Sequence, residues 1–210
     1  MPSAHPSSHP LVHQKLAALR DVKTGPAEFR SLVRSLATLL AYEAAADLAT
    51  KPVDVPTPMG TAHCRTLADR IGVVPILRAG LGMAEGVLEL IPEAEVWHIG
   101  LFRDEHTLRP TEYYNKLPDR PRFTVALVVD PMLATGGSAV RTCQVLRVAG
   151  VVRMKFIALI AAPEGIARLS SAFPEIPIHV GAVDDRLNDV GFIDPGLGDA
   201  GDRQFNTGMH

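Results

Sequence analysis

Residues 130–138 read Asp-Pro-Met-Leu-Ala-Thr-Gly-Gly-Ser, a cluster of one carboxylate, two hydroxyls and two adjacent glycines. The apolar run before them, residues 123–129, predicts a buried strand. Residues 139–149 after them carry apolar side chains at helical spacing. A strand, a turn of small residues and a helix start form a phosphate cradle. The first amides of the helix lack intrahelical acceptors and point outward, and glycines let an anion approach the backbone closely. Asp130 carries the same sign of charge as a phosphate. At the strand end its chemistry suits sugar hydroxyls or a magnesium ion. The segment therefore describes a site for a phosphorylated sugar.

Two arginines stand in equivalent places. Residues 73–77 and 96–102 are further strand candidates, and Arg78 and Arg103 follow them directly, as Asp130 follows 123–129. A guanidinium offers several donors in a planar fork and suits phosphate oxygens. Its ordinary alternative is a surface ion pair, since exposed arginines are common.

The elements that must hold these residues follow a regular pattern. A helix is expected from Pro26, with Phe29, Leu32, Val33, Leu36, Leu39 and Leu40 on one face. Residues 51–64, broken by Pro52, Pro56, Pro58 and Gly60, predict two short strands and a turn. Then come a helix over 81–91, the helix from Ala139, a strand over 155–161, a helix from Pro163 to about Phe173 and a strand over 176–181. Continuous apolar strands alternating with helices predict an α/β fold with a central parallel sheet flanked by helices. In such folds ligands gather at the C-terminal ends of the strands, which brings Arg78, Arg103 and Asp130 to one mouth. Residues 104–122 are too long and polar for a simple connection and are expected to form a projecting arm or lid. The glycine-rich tail, residues 184–210, is expected to cap the same mouth. Residues 1–8 read as a loose arm of one domain spanning 1–210. His9 and His13, four apart without a nearby carboxylate or cysteine, are expected to be surface residues, not metal ligands.

Composition narrows the class. At 210 residues, 47% hydrophobic and 21% charged, the chain suits one globular α/β domain. A net charge of −2 gives no broad footprint for nucleic acid or an anionic membrane. Residues 1–10 lack the pattern of a signal peptide, no apolar run suits a bilayer span, and Cys64 and Cys143 suggest no disulfide framework. A cytoplasmic protein is expected. Gly80-Leu81-Gly82 has Glu85 where a dinucleotide fingerprint needs its third glycine. No Gly-Lys pair exists for a P-loop, and Ser138 lies outside a Gly-x-Ser-x-Gly elbow.

With these residues in view, the chain resembles the type I phosphoribosyltransferases and, within them, the uracil phosphoribosyltransferases. The resemblance rests on residues 128–138, on Val74-Pro75-Ile76-Leu77-Arg78-Ala79-Gly80-Leu81-Gly82-Met83, on Ala161-Ala162-Pro163-Glu164-Gly165, and on Pro195-Gly196-Leu197-Gly198-Asp199-Ala200-Gly201-Asp202-Arg203. It extends from about His9 to Gly208. The family's loop usually carries two adjacent acids; Pro131 in the second place is the form that uracil enzymes show.

The resemblance implies that 5-phosphoribosyl 1-diphosphate (PRPP) contacts Arg78, Arg103, Asp130, Pro131, Met132, Leu133, Ala134, Thr135, Gly136, Gly137, Ser138 and Asp199. Within that set, Thr135, Ser138 and the 134–138 backbone hold the 5′-phosphate, and Asp130 the ribose hydroxyls. Uracil is assigned to the main chain at Ile193, Gly198, Asp199 and Ala200 in a C-terminal hood over residues 184–210. Asp130 and Arg103 act by electrostatics and positioning, with no general base assigned. Magnesium, the implied cofactor, arrives with PRPP and not in a protein cage. A homo-oligomer, dimer or tetramer, and a GTP effector are further family features that no residue here specifies. The implied reaction makes UMP and diphosphate from uracil and PRPP, with Tyr113, Tyr114 and Lys116 of the arm helping to exclude water. The alternatives are transfer to another base, or an RNA-binding regulator of pyrimidine genes on the same fold. The net negative charge and the intact tail disfavour the second.

Overall fold

The strand Val125–Val129 is buried along its whole length. Val125, Leu127 and Val129 join one hydrophobic core, while Ala126 and Val128 join the other. Successive side chains of a strand point to opposite faces, so a strand covered on both sides needs an unbroken apolar run. The structure, a computed structural model, describes residues 4–103, 110–118 and 120–208, with only the backbone at 101–103 and 110–112.

In chain order the elements are β1 (Ala4–Pro6), α1 (Pro10–Arg20), α2 (Pro26–Ala44), β2 (Thr50–Thr57), β3 (Gly60–Leu67), β4 (Ile71–Leu77), α3 (Leu81–Leu90), β5 (Glu95–Val96), β6 (Ile99–Arg103), β7 (Pro110–Asn115), β8 (Val125–Val129), β9 (Met132–Leu133), α4 (Gly137–Val148), β10 (Arg153–Ala161), α5 (Pro163–Ala172), β11 (Ile178–Val183), β12 (Arg186–Leu187), β13 (Ile193–Asp194) and α6 (Ala200–Phe205). The main sheet runs β1-β11-β10-β8-β4-β6-β7, with β5 on β4 and β9 on β10. Pairing is parallel except between β6 and β7. One core packs α1, α2 and α3 on the sheet through Leu16, Phe29, Val33, Leu36, Met83 and Val87. The other packs α4 and α5 through Cys143, Leu146, Ile166 and Leu169. From β4 the chain moves outward to β6 and β7, then returns to place β8 on the other side of β4. The strand order reverses there, where open α/β sheets form a binding crevice.

Several local expectations need correction. The loose arm fails over residues 4–7. Ala4, His5 and Pro6 pair with Ile178, His179 and Val180, and Ser7 donates its amide to Val180 O (2.8 Å) and its hydroxyl to Glu43 (2.7 Å). His9 Nδ1 accepts from Leu11 N (3.1 Å) at the start of α1, a structural role for that histidine. The single strand expected over 96–102 divides into β5 and β6. Residues 50–67 form a longer hairpin than expected, β2–β3, whose residues are mostly exposed. Within the predicted arm, β7 pairs antiparallel with β6; residues 104–109 and 119 lie outside the described residues.

At the β1–β11 edge, His5 and His179 stack with ring centroids 5.2 Å apart. Nearby, the buried Lys155 ammonium donates to Ala44 O (2.6 Å) at the end of α2 and to the Asp47 carboxylate. Burial, helped by the charges of His5 and Lys155, pushes His179 down to about 4 from an ordinary 6.5. Folding therefore favours the neutral ring. Its contribution is present above pH 6.5 and lost as pH falls toward 4. Melting temperature should fall as pH drops from 6.5, and His179→Gln should flatten that fall. An unchanged pH slope in the variant would remove His179 from the acid response.

Candidate functional site

The mouth lies beyond the C-terminal ends of β4 and β8. After β4, Gly80 N donates to Ile76 O (2.9 Å) and Leu81 N to Arg78 O (3.2 Å), which folds the chain into a tight turn. A Cβ on Gly80 would stand 2.6 Å from Val129 O, so glycine lets this turn rest on the end of β8. The Leu77–Arg78 peptide is cis. Arg78 is exposed here, and its only ion pair among the described residues is a loose one, 3.9 Å from Asp202. An exposed pair of that length contributes little and leaves the guanidinium available to an anion.

Asp130 follows β8. Its amide donates to Ile157 O (3.2 Å). Burial pushes its carboxyl up to about 7, against the Met132 N–H that favours the ionised form, and the charge of Asp199 pushes it further. Asp199 belongs to the tail, whose Gln204 donates to Ala79 O beside Arg78 (2.9 Å). Asp199 caps α6, with Oδ1 accepting from Asp202 N (2.9 Å).

The 131–138 loop divides into a brace and a cradle. Pro131 O accepts from Leu159 N and Ile160 N, both at 3.1 Å, and Leu133 O accepts from Ala162 N (3.0 Å). Pro131 and Leu133 are buried, and Met132 packs on the core, so these three expected contact residues tie the loop to β10. Ala134, Thr135 and Ser138 are partly exposed. Gly136, at φ +74°, caps α4, and Gly137 begins it. The first helical bond is Val140 N to Gly136 O (3.0 Å), which leaves the amides before it directed out of the helix. The 161–165 motif supports the loop from below. A Cβ on Gly165 would overlap the carbonyl oxygens of Leu133 and Ala134.

The tail is fixed by residues that its glycines conceal in sequence. Arg20 pairs with Asp184 (2.5 and 2.7 Å) and donates to Gly196 O (2.7 Å), while Gly196 N donates to Asp184 (2.9 Å). Arg203 donates to Leu19 O (2.9 Å) and Leu197 O (2.8 Å) and lies over the Phe29 ring. Gln204, fully buried, donates to Ala79 O (2.9 Å) beside Arg78. Arg20, Arg203 and Gln204 were missing from the sequence-based set. Arg20 and Gln204 reach partners more than 100 residues away, Asp184 and Gly196 for the first and Ala79 for the second, and Arg203 reaches back to Leu19, so these contacts have no local signature.

Of the expected base-recognition positions, Gly198 and Asp199 are exposed, whereas Ile193 and Ala200 are buried with Leu197 in the core. Arg103 closes β6 by its backbone, and its side chain lies outside the described residues. Among the described residues no group of three or more His, Cys, Asp or Glu gathers as a metal cage. A divalent ion beside Asp130 and Asp199 has to take most of its oxygens from a substrate or water. Magnesium, which keeps few protein ligands, fits that donor set. No described helix is long and apolar enough to cross a membrane.

Known proteins share both the sequence and the arrangement. A family model described as uracil phosphoribosyltransferase matches residues 6–207. The chain is 55% identical over 202 residues to a uracil phosphoribosyltransferase of Roseiflexus castenholzii, covering 96% of this chain and 97% of that protein. It is 52% identical over 200 residues to one from Dictyoglomus thermophilum, covering 95% and 97%. Among solved structures, the AQ2163 protein from Aquifex aeolicus has a TM-score of 0.91 at 39% identity, over 99% of this chain and 100% of that one. A hypoxanthine-guanine phosphoribosyltransferase from Bacillus anthracis has a TM-score of 0.51 at 13% identity, over 76% and 80%, and shares the fold alone.

Proposed function

The chain belongs to the uracil phosphoribosyltransferase family, and from that premise we propose that the mouth beyond β4 and β8 transfers the phosphoribosyl group of PRPP to uracil. The products are UMP and diphosphate. The observation that carries this reading is the seating of the tail: Gln204 holds Ala79, Asp202 approaches Arg78, and Asp199 raises the pKa of Asp130. A cradle for the sugar phosphate and a glycine-rich hood for a base thus share one mouth.

The amides of residues 134–138, with the Thr135 and Ser138 hydroxyls, hold the 5′-phosphate. Asp130 accepts from the ribose hydroxyls, and Arg78 and Arg103 bind the diphosphate. Uracil offers two carbonyl acceptors and a ring N–H donor. The exposed main chain at Gly198 and Asp199 meets that pattern, with Ile193 and Ala200 as the floor beneath it. Cytosine reverses the pattern at its amino edge and would leave backbone groups unpaired, a strong basis for discrimination. Ring N1 attacks the anomeric carbon from the face opposite the departing diphosphate, which inverts that centre, and the N1 proton passes to water or to the leaving diphosphate, since no side chain is assigned to take it. Positive charge develops on the ribose, so positioning and electrostatics carry the rate. A magnesium ion arriving with PRPP supplies neutralisation of the leaving group's charge. A homo-oligomer is supported by the exposed β2–β3 hairpin, since an isolated two-stranded hairpin is marginal in water and a second subunit would cover it.

Incubation with PRPP, magnesium and each nucleobase in turn tests the assignment. Uracil should be the preferred acceptor and cytosine should give little product. Preference for a purine would overturn it.

A further inference from the structure

We infer that Arg168 is a further binding residue of this site, a cation for the 5′-phosphate that PRPP and UMP share; the inference rests on the reading of residues 134–138 as the phosphate cradle. Arg168 lies on α5, one turn beyond Gly165. The bare backbone at Gly165 lets α5 press against the loop, and the Arg168 side chain then crosses the two glycines that open α4. Its Cβ stands 3.2 Å from where a Cβ on Gly136 would be. Its Nη1 stands 3.5 Å from the corresponding position on Gly137, with Thr135 Oγ1 at 3.7 Å from that same point. The guanidinium and the Thr135 hydroxyl therefore flank the first residue of α4, where outward amides and the positive end of the helix already favour an anion. Nη1 donates to Thr135 O at 3.3 Å, a long bond that involves one of the guanidinium's five N–H groups.

Among the described residues the charge of Arg168 is not committed to a carboxylate. Glu164 stands four residues earlier on the same helix, the spacing of an ordinary Glu–Arg surface pair. The Glu164 carboxylate instead accepts from Leu187 N (3.2 Å), at the start of the tail. Among the described residues no ion pair joins Arg168 to a carboxylate. Arg168 is exposed, so a phosphate can reach it without displacing packed side chains. An unpaired guanidinium at the rim of an anion cradle offers both charge and directed donors to phosphate oxygens.

Three variants separate charge from bracing. Arg168→Ala removes both, Arg168→Gln keeps a donor for Thr135 O without the charge, and Arg168→Lys keeps the charge. In Ala and Gln the KM for PRPP and the Kd for UMP should each rise about tenfold, equivalent to about 1.4 kcal/mol, with Lys recovering part of the loss. Inhibition by inorganic diphosphate and the KM for uracil should change less than about twofold, because neither ligand carries the 5′-phosphate. Wild-type affinity in the Gln variant would reduce Arg168 to a brace of the loop and overturn the inference. Weakened diphosphate inhibition would overturn it by moving the residue to the other end of the donor. Unaltered affinities in Ala beside an active wild type would refute Arg168 alone. A wild type that fails to convert uracil would refute the proposed function instead.

Discussion

Replacing Asp130 with Asn should keep the fold, raise thermal stability at neutral pH and remove most turnover. The opposite signs have one cause. Burial, with the nearby charge of Asp199, pushes the Asp130 carboxyl up to about 7 from an ordinary 3.8. The folded protein therefore binds this proton more tightly than the unfolded chain does. Stability from this group is complete below pH 3.8 and is lost as pH rises through about 7. The unliganded protein therefore loses stability by pH 8 to keep this carboxylate ionised. Asn has no charge to desolvate. Its advantage in melting temperature should be absent near pH 4, grow to about pH 7 and level off above. Turnover moves the other way, because in the proposed reaction the ionised form accepts from the ribose hydroxyls and faces the developing cation. Loss of one such preorganised group costs about 100- to 1,000-fold in rate. The wild-type KM for PRPP should also fall as pH rises toward 7, and that slope should vanish in Asn. Near-normal turnover, or a stability gain independent of pH, would remove Asp130 from the centre.

Much of this site was legible in sequence because its parts are contiguous. A strand end, a small-residue turn and a helix start within residues 123–149 define the cradle without knowledge of any distant contact. The reversal of strand order between β4 and β8 then places Arg78 and Asp130 together. The parts that escaped have identifiable reasons. α6 spans six residues, Ala200–Phe205, fewer than two turns, too short to display a periodic face. β1 has three residues and exists because β11 offers it an edge. α1 was readable, since Val12, Leu16 and Leu19 recur at helical spacing and are buried. Ile193 and Ala200 were assigned to the base, through their main chain, by motif alone; their side chains are buried. No local pattern marks Arg168, which stands four residues after Glu164, the spacing of an ordinary helix-surface pair. Its place beside Thr135, 33 residues away, depends on how closely α5 approaches the loop.

That approach predicts the second large effect. Gly165→Ala should lower kcat/KM for PRPP about 100-fold, the scale of loss for a misplacement of about 1 Å at a reacting centre. The added methyl would overlap two backbone carbonyl oxygens, Leu133 O and Ala134 O, which cannot rotate away as a side-chain tip can. Either α5 moves out or the loop moves up. The first takes Arg168 from the cradle and loosens Ile166 and Leu169 from their core. The second strains the bond from Ala162 N to Leu133 O and shifts the amides at the head of α4. Both routes weaken the hold on the 5′-phosphate, so UMP affinity should fall with activity, and melting temperature should drop as well. Gly25→Ala is the control, because a Cβ there meets nothing within 4 Å and Gly25 has an ordinary φ of −70°. It should retain activity. The two glycines differ in what surrounds them and not in what they are, so equal behaviour of the two variants would show that the tight contact beneath the loop does not govern phosphate binding.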